Sequence, residues 1–76
     1  MIDLDGLIVG YNYFIGVTDE DSGGLYIARF KGFDGCFAHF DTECSVVVLD
    51  INNYSITWGL FDTWEMAYGF FTGYMM

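Results

Sequence analysis

The sequence predicts an α+β fold: a small five-stranded antiparallel, meander-like sheet with one C-terminal helix packed on a face. Three observations support this. Apolar side chains alternate at period two in the first long segment, glycine and asparagine pairs separate the later apolar segments, and the apolar spacing becomes helical after Phe61. With 76 residues, the chain is long enough for one small domain, residues 1–76, and too short for two.

The first strand is expected over residues 7–17, because an apolar residue recurs at every second position, as in a half-buried strand. A polar loop over 18–24 leads to a second strand over 25–33. The pair Asp34-Gly35 then favours a two-residue hairpin turn, in which positive φ angles are needed. A third strand over 36–41 follows this turn.

A fourth strand is expected over 45–51 and a fifth over 54–61. Between them lies Asn52-Asn53, and asparagine tolerates the left-handed backbone region of a tight turn. This turn sets a register in which apolar residues face one another, pairing Ile51 with Tyr54, Leu49 with Ile56, and Val47 with Trp58. Because the register that the turn sets also places the apolar residues of both strands on one face, the last two strands are predicted to form a hairpin.

The segment after Phe61 has helical character. Asp62 and Glu65 are spaced as a capping box, with Asp62 as the N-cap. Apolar residues then follow at helical spacing and form one stripe. Its members are Trp64, Ala67, Tyr68, Phe71 and Met75.

The chain has eleven acidic side chains and only two basic ones, which gives a formal net charge of -9 and a pI of about 4.1. Most of the acids therefore lack a basic partner within the chain. Alternate turns of an up-and-down sheet lie at the same end, which predicts one strongly acidic end. Its members would be Asp19, Glu20, Asp21, Asp41, Glu43, Asp62 and Glu65, with Asp3, Asp5, Asp34, Asp50 and Lys31 at the other end.

Hydrophobic residues make up 54% of the chain and aromatic residues 21%, so the chain should fold, unlike an acidic disordered tail. This apolar content exceeds what a core of this size hides. An exposed apolar patch usually marks an interface, so a homodimer or a hydrophobic partner contact is expected. The aromatic anchors proposed for this contact are Tyr26, Phe37 and Trp64.

The sequence predicts no catalytic residue, metal or cofactor, and hence no enzyme. Asp3-Leu4-Asp5-Gly6 resembles part of an EF-hand loop, but the first position of that loop would be Met1. His39 and Cys36 are three apart on a strand and should face opposite ways. No apolar run is long enough to span a membrane, and the acidic amino terminus is unlike a signal peptide. A cytoplasmic location is expected, in the host cell if the chain is phage-encoded.

Duplex DNA carries about one negative charge per 1.7 Å of its axis, and a row of carboxylates can imitate part of this array. Direct binding to nucleic acid is not expected, because the chain would repel phosphates. In size and charge alone, the chain resembles the small acidic inhibitors that phages use against host defence: anti-CRISPR proteins, anti-restriction proteins and glycosylase inhibitors. The resemblance implies a non-enzymatic inhibitor.

The expected partner is a basic nucleic-acid-binding protein, such as a host nuclease or effector complex. The seven acids of the predicted acidic end and the three aromatic anchors are the candidate partner-binding residues. Three alternatives stay open. The chain could be a structural or assembly protein that forms a homo-oligomer through an apolar sheet face. It could be an acidic antitoxin or immunity protein, or its acidity could serve solubility alone.

Overall fold

The structure, a computed structural model, describes residues 1–18 and 23–75. Its centre is a five-stranded antiparallel sheet against which a C-terminal helix packs, so the predicted fold class is confirmed. Short 3-10 helices occupy Leu4–Gly6 and Ile51–Asn53. The strands are β1 (Asn12–Val17), β2 (Gly24–Asp34), β3 (Phe37–Asp41), β4 (Val46–Asp50) and β5 (Trp58–Phe61), and the helix is α1 (Trp64–Met75).

The strand order is β4-β3-β2-β1-β5, so the first four strands form the predicted meander and β5 lies at the far edge, beside β1. The expected hairpin of the last two strands is wrong, and Val47 does not pair with Trp58. Trp58 lies opposite Val17 instead, and Phe61 lies opposite Phe14. Strand β5 therefore runs antiparallel to β1, and the chain must cross the sheet to reach it.

The crossing takes place over residues 51–57. A 3-10 helix begins there because the Asp50 carboxylate accepts a hydrogen bond from the Asn52 N–H at 2.9 Å, so the two asparagines do not form a hairpin turn. The Trp58 and Phe40 rings lie 6.2 Å apart. Their strands are three positions apart, roughly 14 Å in a flat sheet, so the sheet is strongly curved.

The main core lies on the concave side of this curved sheet. The N-terminal segment and the crossing segment cover it, through residues such as Leu4, Leu7 and Ile51. The N-terminal segment also binds the outer edge of β5, where the Ile2 N–H donates to the Leu60 carbonyl at 2.9 Å. The buried core residues are Tyr13, Ile15, Val17, Ala28, Phe30, Ala38, Phe40, Trp58 and Leu60.

The helix covers part of the convex side, over β1 and β5. It packs against the backbone at Gly16, where an added Cβ would lie 3.1 Å from the Ala67 carbonyl oxygen and 3.2 Å from Phe70 Cδ1. Ala67 is fully buried there. The absence of a side chain at Gly16 thus lets the helix approach the sheet closely.

Three local boundaries differ from the sequence-based expectations. Strand β1 begins later than residue 7, because the Tyr11 N–H donates to the Ile8 carbonyl in a turn where Gly10 has φ +90°. The turn between β2 and β3 is Gly35-Cys36, not Asp34-Gly35, since Asp34 pairs with Phe37. The N-cap of α1 is Thr63, not Asp62, and its hydroxyl accepts from the Met66 N–H at 3.3 Å.

We expect opposite effects of alanine at two glycines. Gly16→Ala should lower the free energy of unfolding by about 1–3 kcal/mol, because the new methyl group would lie only 3.1 Å from a helix carbonyl oxygen and would push the helix outward. Gly69→Ala should raise it by about 1 kcal/mol, because the helical position is open and alanine has the higher helix propensity. Urea unfolding of both variants measures this. A neutral Gly16→Ala variant would contradict the close approach of α1.

Ionisation of Tyr54 should lower the free energy of unfolding at alkaline pH. Burial of the phenol is the main cause that raises the pKa of Tyr54 above its ordinary value of 10.0; the Leu60 backbone offsets part of this rise, and the charge of Asp3 adds to it. The folded chain therefore holds the proton more tightly than the unfolded chain. The free energy of unfolding should fall as pH rises from the ordinary value through the raised one.

The matched variant is Tyr54→Phe. It loses the hydrogen bond to the Ile2 carbonyl, a cost of about 1 kcal/mol while the phenol is protonated, and it also loses the titrating proton. Urea unfolding from about pH 8 to about pH 11 should therefore show a steeper loss of stability for the original chain than for Tyr54→Phe. Equal slopes would contradict the role given to burial.

Candidate partner-binding face

The convex side of the sheet is uncovered beyond α1, over the outer parts of β2, β3 and β4. Direct cross-strand partners share a face, so the register defines this surface as three rows of side chains. We call it the open face. Its rows are Arg29–Asp41–Val46, Gly32–His39–Val48 and Asp34–Phe37–Asp50.

The apolar members of the open face are well exposed. Val46 is 61% exposed, Val48 47% and Phe37 43%. Their neighbours in sequence, such as Val47 and Leu49, pack against the core on the concave side. Period-two alternation therefore divides the β-branched run of β4 between the core and solvent.

A β-bulge in β2 determines the position of Lys31 on the open face. The register of β2 and β3 shifts between Phe30 and Gly32, so Lys31 is an extra residue there. Lys31 Nζ lies 3.3 Å from Asp41 Oδ2, and Arg29 is directly opposite Asp41. Lys31 lies near Asp34, one of the acids that it was expected to offset, but its ion pair is with Asp41, a member of the predicted acidic end.

The remaining charges of the open face are largely unpaired. His39 Nε2 lies 3.9 Å from Asp34 Oδ2, an ion pair only when the imidazole is protonated. The Lys31–Asp41 pair is half exposed, and such pairs contribute about 0–1 kcal/mol. Apart from Asp50, whose carboxylate caps the 3-10 helix after β4, these charges hold little of the fold together.

The predicted acidic end is only partly assembled. Strand β5 begins beside Val17 and ends beside Phe14, so Asp62 and Glu65 follow the end of β5 that lies away from Thr18. The prediction of one shared end is wrong for these two acids, because β5 runs in the direction opposite to the one that a full meander requires. Three members of that end lie outside the described residues: Asp19, Glu20 and Asp21.

Strand stagger nevertheless brings other predicted residues together. Asn12, at the start of β1, pairs with Arg29 of β2. Arg29 in turn pairs with Asp41, at the end of β3. A groove of about 870 Å³ results, between Trp64 at the start of α1 and the turn after β3. Its lining includes Ile27, Arg29, Asp41, Glu43 and Trp64.

The three predicted aromatic anchors have different positions. Phe37 lies on the open face, between Asp34 and Asp50 in its row. Trp64 is partly exposed beside the groove, and its ring packs edge-to-face on Phe14 at 5.7 Å. Tyr26 is half-buried, lies opposite Ile15 and packs against the core, and it also contributes to the lining of the groove.

Sequence reasoning missed the exposed aliphatic residues Ile27, Val46 and Val48. The alternation of strand faces was the available signal, but the sequence does not show which parts of the convex side α1 leaves open. Cys36 and Cys44 are exposed free thiols. In the described part of the chain, no group of three or more His, Cys, Asp or Glu side chains can hold a metal ion.

Residues 1–18 and 23–75 include no helix with the length and apolar character needed to cross a membrane. Comparisons with protein-family models, with curated proteins and with solved structures give no match for this chain. Three geometric features therefore define the candidate surface: an apolar strand edge, an aromatic residue between carboxylates and a groove with charged walls.

Threonine substitutions at two neighbouring residues of β4 should change the free energy of unfolding by different amounts. Val48→Thr should change the free energy of unfolding by less than about 0.5 kcal/mol, because the side chain lies on the open face. Leu49→Thr should lower it by about 2 kcal/mol or more, because Leu49 packs against the core. Thermal and urea unfolding measure both. Equal losses would show that the open face is covered.

Proposed function

We propose that this protein is a non-enzymatic inhibitor that binds a basic nucleic-acid-binding surface of another protein, such as a nuclease or effector complex. One observation carries the proposal. Of the eight Asp and Glu residues that the structure describes, only Asp41 has a Lys or Arg nitrogen within 4.0 Å of its carboxylate. The other described carboxylates have no Lys or Arg partner within the described chain, so they can take counter-charges from another protein.

Unpaired surface carboxylates act at a distance. The field of a chain with a net charge of -9 attracts a basic cleft and raises the rate of encounter. Salt weakens this attraction, because the Debye length falls from about 10 Å at 0.1 M to about 3 Å at 1 M. Strong salt dependence is therefore the expected signature of the complex.

Phe37 gives the acidic surface a short-range anchor. It is exposed and lies between two carboxylates, Asp34 and Asp50, in one cross-strand row. Binding sites for single-stranded nucleic acid combine basic side chains for phosphates with apolar or aromatic surfaces for bases. An aromatic ring between two carboxylates resembles a base between two phosphates, so it suits such a site.

A homo-oligomeric assembly protein is the second candidate, favoured by the exposed Val46 and Val48. Copies that each carry a charge of -9 repel one another, and salt screens this repulsion. Self-association should therefore strengthen with salt, whereas binding to a basic partner should weaken. Sedimentation at low and high salt separates the two functions.

Charge reversal tests the inhibitor function. The variant with Asp19→Lys, Glu20→Lys and Asp21→Lys should lose capture of basic nucleic-acid-binding proteins from a bacterial lysate at low salt. The original protein should capture them and release them at about 1 M salt. Mass spectrometry identifies the captured proteins, and an activity assay with each purified protein then measures inhibition.

The matched control carries Asp3→Lys, Asp5→Lys, Ile8→Lys and Val9→Lys, at exposed positions of the N-terminal segment, and it changes the formal net charge by the same six units, from -9 to -3. If the position of the acids matters, this control keeps most of the capture. Recovery of no basic nucleic-acid-binding protein, or full inhibition by the first triple variant at physiological salt, would overturn the proposed function.

A further inference from the structure

The outer edge of β4 has unpaired backbone groups. The Thr42 N–H donates to the Ser45 carbonyl at 2.8 Å, and the Ile51 N–H donates to the Cys36 carbonyl at 2.9 Å. Hydrogen-bonded pairs alternate along an antiparallel ladder, so the odd-numbered residues of β4 bond to β3. The N–H and C=O groups of Val46 and Val48 therefore point outward, with no partner among the described residues.

The two edges of the sheet differ. The edge of β5 is bound by the N-terminal segment, where the Ile2 N–H donates to the Leu60 carbonyl. Natural edge strands are commonly protected by lysine, proline, a bulge or a covering segment. None of these protects β4, whose sequence is Val-Val-Val-Leu-Asp, in the part of the molecule that the structure describes.

Charge indicates which strand this edge accepts. Glu43, in the turn before β4, and Asp50, at its end, place a carboxylate near each end of the edge. Both basic side chains belong to β2, two strands away. In an antiparallel pair of two copies of β4 centred on Val47, Asp50 would lie opposite Cys44 of the second copy, beside its Glu43. In this register a second copy brings like charges together, and in every register it adds a chain with a net charge of -9.

We propose that β4 binds an extended, basic segment of a partner protein, which adds to the sheet as a sixth strand. Lysine or arginine near the ends of that segment would meet Glu43 and Asp50, and its backbone would pair with Val46 and Val48. Main-chain hydrogen bonds supply affinity in this mode of recognition, and side-chain pockets supply specificity. The inference rests on the proposed function and identifies the part of the partner that is bound.

The test uses a short peptide that alternates lysine and valine, with the full-length protein. Val48→Pro removes an outward N–H without breaking the β3–β4 ladder, because proline is tolerated where the N–H of an edge strand faces solvent. It should weaken peptide binding at least about tenfold, the loss of about one hydrogen bond. Val48→Thr, which keeps the backbone donor, should bind within about twofold of the original chain.

Two peptide controls separate pairing from charge attraction. The same peptide methylated at every backbone amide keeps its charge but cannot donate hydrogen bonds, and it should not bind measurably. A peptide that alternates glutamate and valine should not bind either. If the methylated lysine peptide binds as tightly as the unmethylated one, the contact is electrostatic alone and strand addition is wrong.

Amide hydrogen exchange locates the contact. In the free protein, the amides of Val46 and Val48 should exchange rapidly while those of Val47 and Leu49 are protected. Excess lysine–valine peptide should protect Val46 and Val48 as well. Protection that instead rises with protein concentration, without peptide, would assign the edge to a second copy and overturn the proposal.

The outcomes also separate this inference from the proposed function. If Val48→Pro still captures the lysate proteins while the Asp19, Glu20 and Asp21 reversal does not, the edge proposal fails and the inhibitor function stands. If neither variant affects capture, both fail. Protected Val47 and Leu49 amides in Val48→Pro show that the variant is folded, so loss of binding then supports the edge.

Discussion

Trp58 connects the two edges of the sheet, and the rest of the structure depends on this connection. Its indole N–H donates to the Asp50 carbonyl at 2.7 Å, at the end of β4, while its own strand pairs with β1 at the opposite edge. Its ring also packs on Phe40 and on Tyr54, at 6.2 and 4.8 Å between centroids. These contacts hold the sheet in its curved form and place the core on the concave side.

Curvature explains why one side of the sheet is left partly uncovered. The N-terminal segment and the crossing segment fill the concave side, so the single helix is left to cover part of the convex side. Since α1 packs on β1 and β5, the outer parts of β2, β3 and β4 stay open. The helix can take this position because Gly16 allows its backbone to approach to within contact distance.

Local patterns predicted most elements, because alternation, turn residues and helical spacing act over a few residues. The sequence could not assign the partner of β5. Its apolar residues match β4 across an Asn52-Asn53 turn as well as they match β1, and the choice depends on the cap by Asp50 and on Trp58, which act between distant segments. The acids were visible in the sequence, but the Lys31–Asp41 pair depends on a bulge, and the signal for it, Gly32 inside a strand, does not show which acid Lys31 reaches.

Among the described residues, the buried set contains no polar or charged side chain. Apart from the two capping carboxylates, Asp3 and Asp50, folding information and surface charge are therefore carried by separate positions. Exposed carboxylates away from the caps can change identity or sign at small cost to stability, because substitutions at such sites usually change it by about 0.5 kcal/mol or less. A chain built in this way can evolve new charge patterns quickly, and a protein that must follow a changing target gains from that freedom.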